Sequence, residues 1–190
     1  MEGRIVIISA PSGAGKTTIV RHLLNCGLDL VFSVSATTRK KRENETDGRD
    51  YYFLSTEEFR ERLERNEFAE WQEVYKDSFY GTLRNEISRI RTAGRNVLFD
   101  VDVKGGINLK RIYGGEAVSI FIMPPSVEEL EKRLLSRGTD DPEKIRTRVM
   151  KAAEEIKYAG EFDHIVVNNS LEKAMRESLM IVEAFLGREK

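Results

Sequence analysis

The segment Ala10-Pro11-Ser12-Gly13-Ala14-Gly15-Lys16-Thr17 constrains this chain more than any other. It follows a short β-branched run at 4–9 and opens a helical pattern at 16–26. A glycine-bearing turn between strand and helix, ending in Lys-Thr, fits G-x-x-x-x-G-K-[ST] everywhere but the first position, held by Ala10. Gly13 and Gly15 let successive backbone N–H groups turn inward around phosphate oxygens without a Cβ clash. The helix N-terminus adds partial positive charge. From there Lys16 reaches the β- and γ-phosphates of a nucleotide, and the Thr17 hydroxyl joins a Mg²⁺ shell. A chance G-x-G-K-[ST] in such a chain is on the order of one in a hundred from average residue usage. The expectation is triphosphate binding, with Ser12, Gly13, Ala14, Gly15, Lys16, Thr17 and Thr18 around the phosphates.

Further apolar β-branched runs at 31–35, 96–101, 118–123 and 163–167 read as buried strands. Helical patterns lie between and after them. Ser55 with Glu58 and Ser126 with Glu129 read as capping boxes. Leu83, Ile87 and Ile90 mark a helix that Gly94 terminates. Asp141 before Pro142 reads as an N-cap with proline in the first turn. Residues 170–186 form a last amphipathic helix. Strands alternating with helices imply a parallel sheet covered on both faces. The stretch from Thr37 to about Gly81 breaks this alternation with aromatic, charged and turn-forming residues, and reads as a small inserted lobe.

With 190 residues, 40% of them apolar, the chain suits one compact α/β domain. Its 31 Lys and Arg against 32 Asp and Glu leave a net charge of −1, which disfavours a nucleic-acid-binding role. Cys26 is the single cysteine, so the chain has no internal disulfide and no cysteine-built zinc cluster. No apolar stretch suits a signal peptide or membrane span, and a cytoplasmic protein is expected. His22 and His164 fall within a helix and a strand run and read as structural.

After the second strand comes Thr37-Thr38-Arg39-Lys40-Lys41-Arg42-Glu43-Asn44-Glu45-Thr46-Asp47-Gly48-Arg49-Asp50-Tyr51. Acids follow the basic residues at once, so Arg39 and Arg42 suit a clamp on one dianionic phosphate better than a nucleic-acid patch. This run, with Ser35 before it, resembles the acceptor-binding signature of the guanylate kinase family, T-T-R-x-x-R-x-x-E-x-x-G-x-D-Y. Phe68-Ala69-Glu70-Trp71 and Phe79-Tyr80-Gly81-Thr82 resemble its next motifs, and Asp100-Val101-Asp102-Val103-Lys104-Gly105 its D-x-D-x-Q-G segment. Pro124-Pro125-Ser126, Arg133-Leu134 and Arg137-Gly138-Thr139 resemble its lid.

The resemblance implies a phosphate-loop NTPase three-layer fold with a central parallel sheet, an inserted GMP-binding lobe and a lid. The single domain at 1–190 would divide into a core at 1–35, 83–124 and 160–190, a lobe at 36–82 and a lid region at 125–159. The implied activity is ATP-dependent phosphorylation of GMP, with dGMP as a second acceptor, in purine nucleotide metabolism. Arg39, Arg42, Tyr51 and Tyr80 would hold the GMP phosphate, and Ser35, Glu70, Thr82 and Asp102 would surround guanine. Arg133 and Arg137 would close over ATP, with Arg148 beside them. Lys16, Arg39, Arg137 and Arg148 would stabilise the transferring group. Mg²⁺ would accompany ATP on Thr17 and, through water, Asp100.

Guanine presents N1–H and N2–H₂ donors side by side, which one carboxylate such as Glu70 accepts as a fork. Adenine offers no such pair and would leave the carboxylate desolvated. Three positions depart from the family pattern. Ala10 replaces a glycine and needs a negative φ. Asn44 also replaces a glycine, where asparagine enters the left-handed region readily. Lys104 replaces glutamine. Competing functions are a guanylate-kinase-like module that binds protein ligands, a phosphate-loop kinase with another acceptor, and a nucleic-acid-dependent NTPase.

Overall fold

A computed structural model describes residues 2–75, 77–136 and 141–187. In chain order the elements are β1 (Ile5–Ser9), α1 (Lys16–Leu24), β2 (Leu30–Phe32), β3 (Ala36–Thr37), β4 (Tyr52–Phe53), α2 (Thr56–Glu64), β5 (Phe68–Tyr75), β6 (Ser78–Leu83) and α3 (Arg84–Thr92). They continue with β7 (Asn96–Val101), α4 (Val103–Tyr113), β8 (Ala117–Met123), α5 (Val127–Ser136), α6 (Pro142–Ile156), β9 (His164–Val167) and α7 (Leu171–Leu186).

The main sheet has the order β2-β7-β1-β8-β9, and its paired strands are all parallel. Side chains alternate across a strand, so the two faces of β1 enter separate cores. Val6 and Ile8 pack with Ile19 and Leu23 of α1 and with Ala174 and Val182 of α7. Ile5 and Ile7 pack with Ile87 and Ile90 of α3 and Leu109 of α4. Burial on both faces is why this strand reads as unbroken apolar sequence. Register places Ile8 opposite Asp100 and Ser9 opposite Val101. The loop after β1 and the acids ending β7 therefore emerge together at the carboxyl edge, where open parallel sheets bind ligands.

The expected lobe is a four-stranded sheet of order β4-β3-β6-β5, in which β6 runs antiparallel to both β3 and β5. It has its own core, with Phe59 of α2 stacked 4.2 Å from Phe68 and 5.4 Å from Phe79, ring centre to ring centre. The capping box that starts α2 is complete. The Glu58 N–H donates to Ser55 Oγ at 3.0 Å, and the Ser55 N–H donates to Glu58 Oε2 at 2.7 Å.

Helices α5 and α6 make a hairpin around Leu130, Leu134, Ile145 and Ala152. Asp141 caps α6 by accepting from the Glu143 N–H at 2.9 Å. At α5 the Glu129 N–H donates to Ser126 Oγ at 3.2 Å, while the Glu129 carboxylate lies 3.4 Å from Arg133 Nε. Arg137, Gly138 and Thr139 of the expected lid lie outside the described residues.

The sequence pattern and the structure differ in places. The strand expected at 31–35 stops at Phe32. The Ser33 N–H still bonds Leu98 O at 2.9 Å, and the chain then leaves for the lobe. Helix α4 carries no helical signal, because Gly105 and Gly106 oppose helix formation by propensity. Both glycines are needed for packing. A Cβ on Gly106 would lie 2.5 Å from Ser9 Oγ, and one on Gly105 would lie 2.9 Å from Asp102 Oδ1. The non-glycine residues with positive φ are Asp29, Asn66 and Asp77 among the described residues. Ala10 thus keeps the negative φ it requires, whereas Asn44 does not use the left-handed region expected of it. Among the described residues, no helix is long and apolar enough to cross a membrane.

Candidate active site

The loop between β1 and α1 is held in shape from three directions. Gly13 and Gly15 both adopt φ of +95°, where an L side chain is strained. Asn168, just past β9, donates from Nδ2 to Ala14 O at 2.7 Å and fixes the peptide between the two glycines. Its amide nitrogen would lie 2.4 Å from a Cβ on Gly15. The Ser9 hydroxyl, at the end of β1, lies 3.2 Å from Val101 O and 3.1 Å from Asp102 O. Lys16 Nζ donates to Val101 O at 2.8 Å and pairs with Asp100 Oδ1 at 2.5 Å. The loop cation and the β7 carboxylate thus form one centre, built by the β1–β7 register.

A cleft of about 620 Å³ runs from this loop to the lobe. Ser12, Gly13, Ala14, Gly15, Lys16, Thr17 and Thr18 line one end. Ser35, Arg42, Tyr51, Glu70, Tyr80 and Asp102 line the other, and Asp100 and Arg148 join the lining beside the loop. From α6, Arg148 donates to Ser12 Oγ from Nε at 3.1 Å and from Nη2 at 2.7 Å, which ties the helical hairpin to the loop.

Other expected residues stand back from the cleft wall. Thr82 is buried beneath Glu70, and its hydroxyl donates to Glu70 Oε1 at 2.9 Å. Arg39 lies 5.0 Å from the Tyr51 ring, with both terminal nitrogens bonded to Glu45. Arg133, on α5, donates to Asn168 O at 3.1 Å and is not part of the lining. Arg137 lies outside the described residues.

The lobe end has distinctive electrostatics. Glu70 is 8% exposed, and burial together with the nearby Asp102 charge pushes its carboxyl up to about 7, against the lowering effect of the Thr82 bond. Asp102 caps α4 by accepting from the Gly105 N–H at 2.7 Å. Burial raises the Tyr51 phenol, which stays a neutral donor near the Tyr80 ring, 6.1 Å away. The site therefore has a cation-and-amide cradle at one end. At the other it has hydroxyl and guanidinium donors around a carboxylate that gains from two adjacent N–H donors.

The sequence reading gave no role to Glu45 or Asn168. An asparagine at the carboxyl end of the last parallel strand is the signal for the second, since that edge carries the ligand. Glu45 entered only as a spacing in a motif, although a carboxylate six residues after an arginine in a turn is within reach of it.

A parallel sheet, a glycine loop on a helix N-terminus, and a lysine paired with a strand-end carboxylate define a phosphate-loop nucleotide-binding protein. The family model described as guanylate kinase matches residues 2–185. The chain belongs to the guanylate kinase family. It is 51% identical to the guanylate kinase of Bacteroides thetaiotaomicron over the whole of this chain and 93% of that one. It is 49% identical to that of Salinibacter ruber, over 96% of this chain and 97% of the relative. Its fold is similar to the crystal structure of guanylate kinase from Anaplasma phagocytophilum, with a TM-score of 0.78 at 32% identity. That match covers all of this chain and 88% of the other.

Proposed function

We propose that this protein transfers the γ-phosphoryl group of ATP to the phosphate of GMP. The observation that carries this reading is the buried Glu70 with Thr82 and Asp102 beside it, facing the same cleft as Lys16. Ionised Glu70 accepts the paired N1–H and N2–H₂ donors of guanine, and Ser35, Thr82 and Asp102 complete the base pocket. Arg39, Arg42, Tyr51 and Tyr80 hold the acceptor phosphate by charge-assisted bonds. The loop from Ser12 to Thr18 cradles the donor phosphates, and Arg133 and Arg137 cover the nucleotide.

An oxygen of the GMP phosphate attacks the γ-phosphorus as the bond to the β,γ-bridging oxygen breaks, giving GDP and ADP. That oxygen is already ionised at neutral pH, since a phosphomonoester's second pKa is about 6, so no general base is required. Lys16, Arg39, Arg137 and Arg148 supply positive charge where it develops. The lid over 125–159 and the lobe over 36–82 close together and exclude water, which protects ATP from hydrolysis. Hydroxyl and carboxylate oxygens suit Mg²⁺, which binds substrate phosphates through few protein ligands. Thr17 and, through water, Asp100 would hold it. When bound, the ion offsets charge on the β- and γ-phosphates. Near-neutral net charge fits free nucleotides in the cytoplasm as substrates.

The test is ADP release from ATP and Mg²⁺ with GMP, AMP, CMP or UMP as acceptor, for the wild type and Glu70→Ala. Turnover with GMP alone, lost in the variant, is expected. No GMP-dependent turnover in folded protein would sink the kinase reading and favour a binding module.

A further inference from the structure

Glu45 belongs to none of the roles assigned above, yet its surroundings are unusual for a loop residue. Residues 40–49 are exposed throughout, except for Glu45. Its Oε2 accepts from Arg39 Nη1 at 2.7 Å, its Oε1 accepts from Arg39 Nη2 at 2.5 Å, and Oε2 also accepts the Arg42 backbone N–H at 2.8 Å. One carboxylate therefore engages both arginines of the R-x-x-R pair, one by its side chain and the other by its main chain.

We propose that Glu45 is a positioning residue for the acceptor phosphate, presetting Arg39 and the Arg42 turn so that both guanidinium groups meet the anion together. The inference rests on the acceptor-phosphate reading of the cleft. A guanidinium has five N–H donors in a rigid fork. Glu45 takes two of them and the Lys40 carbonyl a third, so that two remain. Those two serve a phosphate or the Tyr80 hydroxyl, which interacts with the same guanidinium. The Tyr51 and Phe53 rings, 5.0 and 5.6 Å from the Arg39 guanidinium carbon, hold its plane. A long arginine left to itself would lose rotamer freedom on binding the anion, and this arrangement removes that cost beforehand.

A carboxylate close to a phosphate dianion also repels it. The two effects have opposite signs. Repulsion acts across a water-facing loop and is screened, whereas the fork is in direct contact and half buried. Preorganisation should win.

Equilibrium titrations of wild type, Glu45→Ala, Glu45→Gln and Glu45→Asp with GMP, guanosine and ATP test this. Glu45→Ala should weaken GMP binding roughly ten- to a hundredfold while guanosine and ATP stay as in wild type. The advantage of GMP over guanosine then shrinks. Glu45→Asp should recover part of it, and Glu45→Gln should fall between. Unchanged ATP affinity confirms that the core of each variant is folded, and unchanged guanosine affinity that the lobe is. Equal or tighter GMP binding by Glu45→Ala overturns the inference, as does an equal loss for guanosine. Failure of the wild type to bind GMP overturns the acceptor reading itself, a separate result visible before any variant is made.

Discussion

The Thr82 hydroxyl donates to Oε1 of Glu70 at 2.9 Å, and both residues are buried, side by side on strands β6 and β5 of the lobe sheet. Glu86 is the other buried glutamate among the described residues, and it differs in having Arg89 at 2.9 Å. Among the described residues Glu70 forms no ion pair, and desolvation holds its carboxyl near 7.

Base binding should therefore depend on pH near neutrality. Guanine's donors need the carboxylate, and the free protein is about half protonated at pH 7. As pH falls below 7, affinity should fall, approaching about tenfold per pH unit. Guanosine is the ligand to titrate, because it lacks the phosphate that ionises in the same range. Glu70→Gln should bind weakly and show a flat profile between pH 5 and 8.

The same group should leave a signature in stability, of the sign expected for a carboxyl raised on folding. Its native value of about 7 exceeds its ordinary 4.5, so the native state holds the proton more tightly. The contribution is full below about 4.5 and is lost as pH rises through about 7, on the order of 3 kcal/mol. Urea unfolding of wild type and Glu70→Gln at pH 5 and pH 8 checks this. The variant should gain relative stability at the higher pH.

Lys16 and Asp100, 2.5 Å apart, should separate functionally. Lys16→Ala removes charge stabilisation at the donor phosphates and should lower kcat by roughly a hundred- to a thousandfold. Asp100→Asn should mainly raise the Mg²⁺ concentration giving half-maximal rate. A Mg²⁺ titration of initial rates that showed no displacement for Asp100→Asn would remove that residue from the metal shell.

Phe59→Ala empties the centre of the lobe core, where the ring stacks on Phe68 and Phe79. A buried phenylalanine lost in this way costs about 3–5 kcal/mol. Because this core is separate from those around the main sheet, the damage should fall on acceptor binding. The KM for GMP should rise while ATP affinity persists. Equal losses for both nucleotides would show that lobe and sheet do not fold as separable units.

Local chemistry was legible without coordinates. The phosphate loop is contiguous, so its glycines, Lys16 and Thr17 declare themselves by order alone. The main strands were legible because both faces are buried and their residues are apolar throughout. The R-x-x-R run and the Glu70 motif stood out by resemblance, and each comes to the cleft or immediately behind it. Helix α4 was missed. Its two glycines look like breakers until Ser9, Asp102 and Glu70 are seen pressed against them.

What only the tertiary structure decided is which groups meet across long separations. Arg148 reaches Ser12 over 136 residues, and Asn168 reaches Ala14 over 154. Resemblance singles out Glu70 over Glu86, but does not show that the fold buries both. Glu86 keeps Arg89 three residues along the same helix, whereas the packing of β5 and β6 leaves Glu70 desolvated and, among the described residues, without an ion pair. Sequence determines which atoms are present and their local geometry. Desolvation and pairing belong to the fold, because they depend on neighbours that the chain brings together only when it closes on itself.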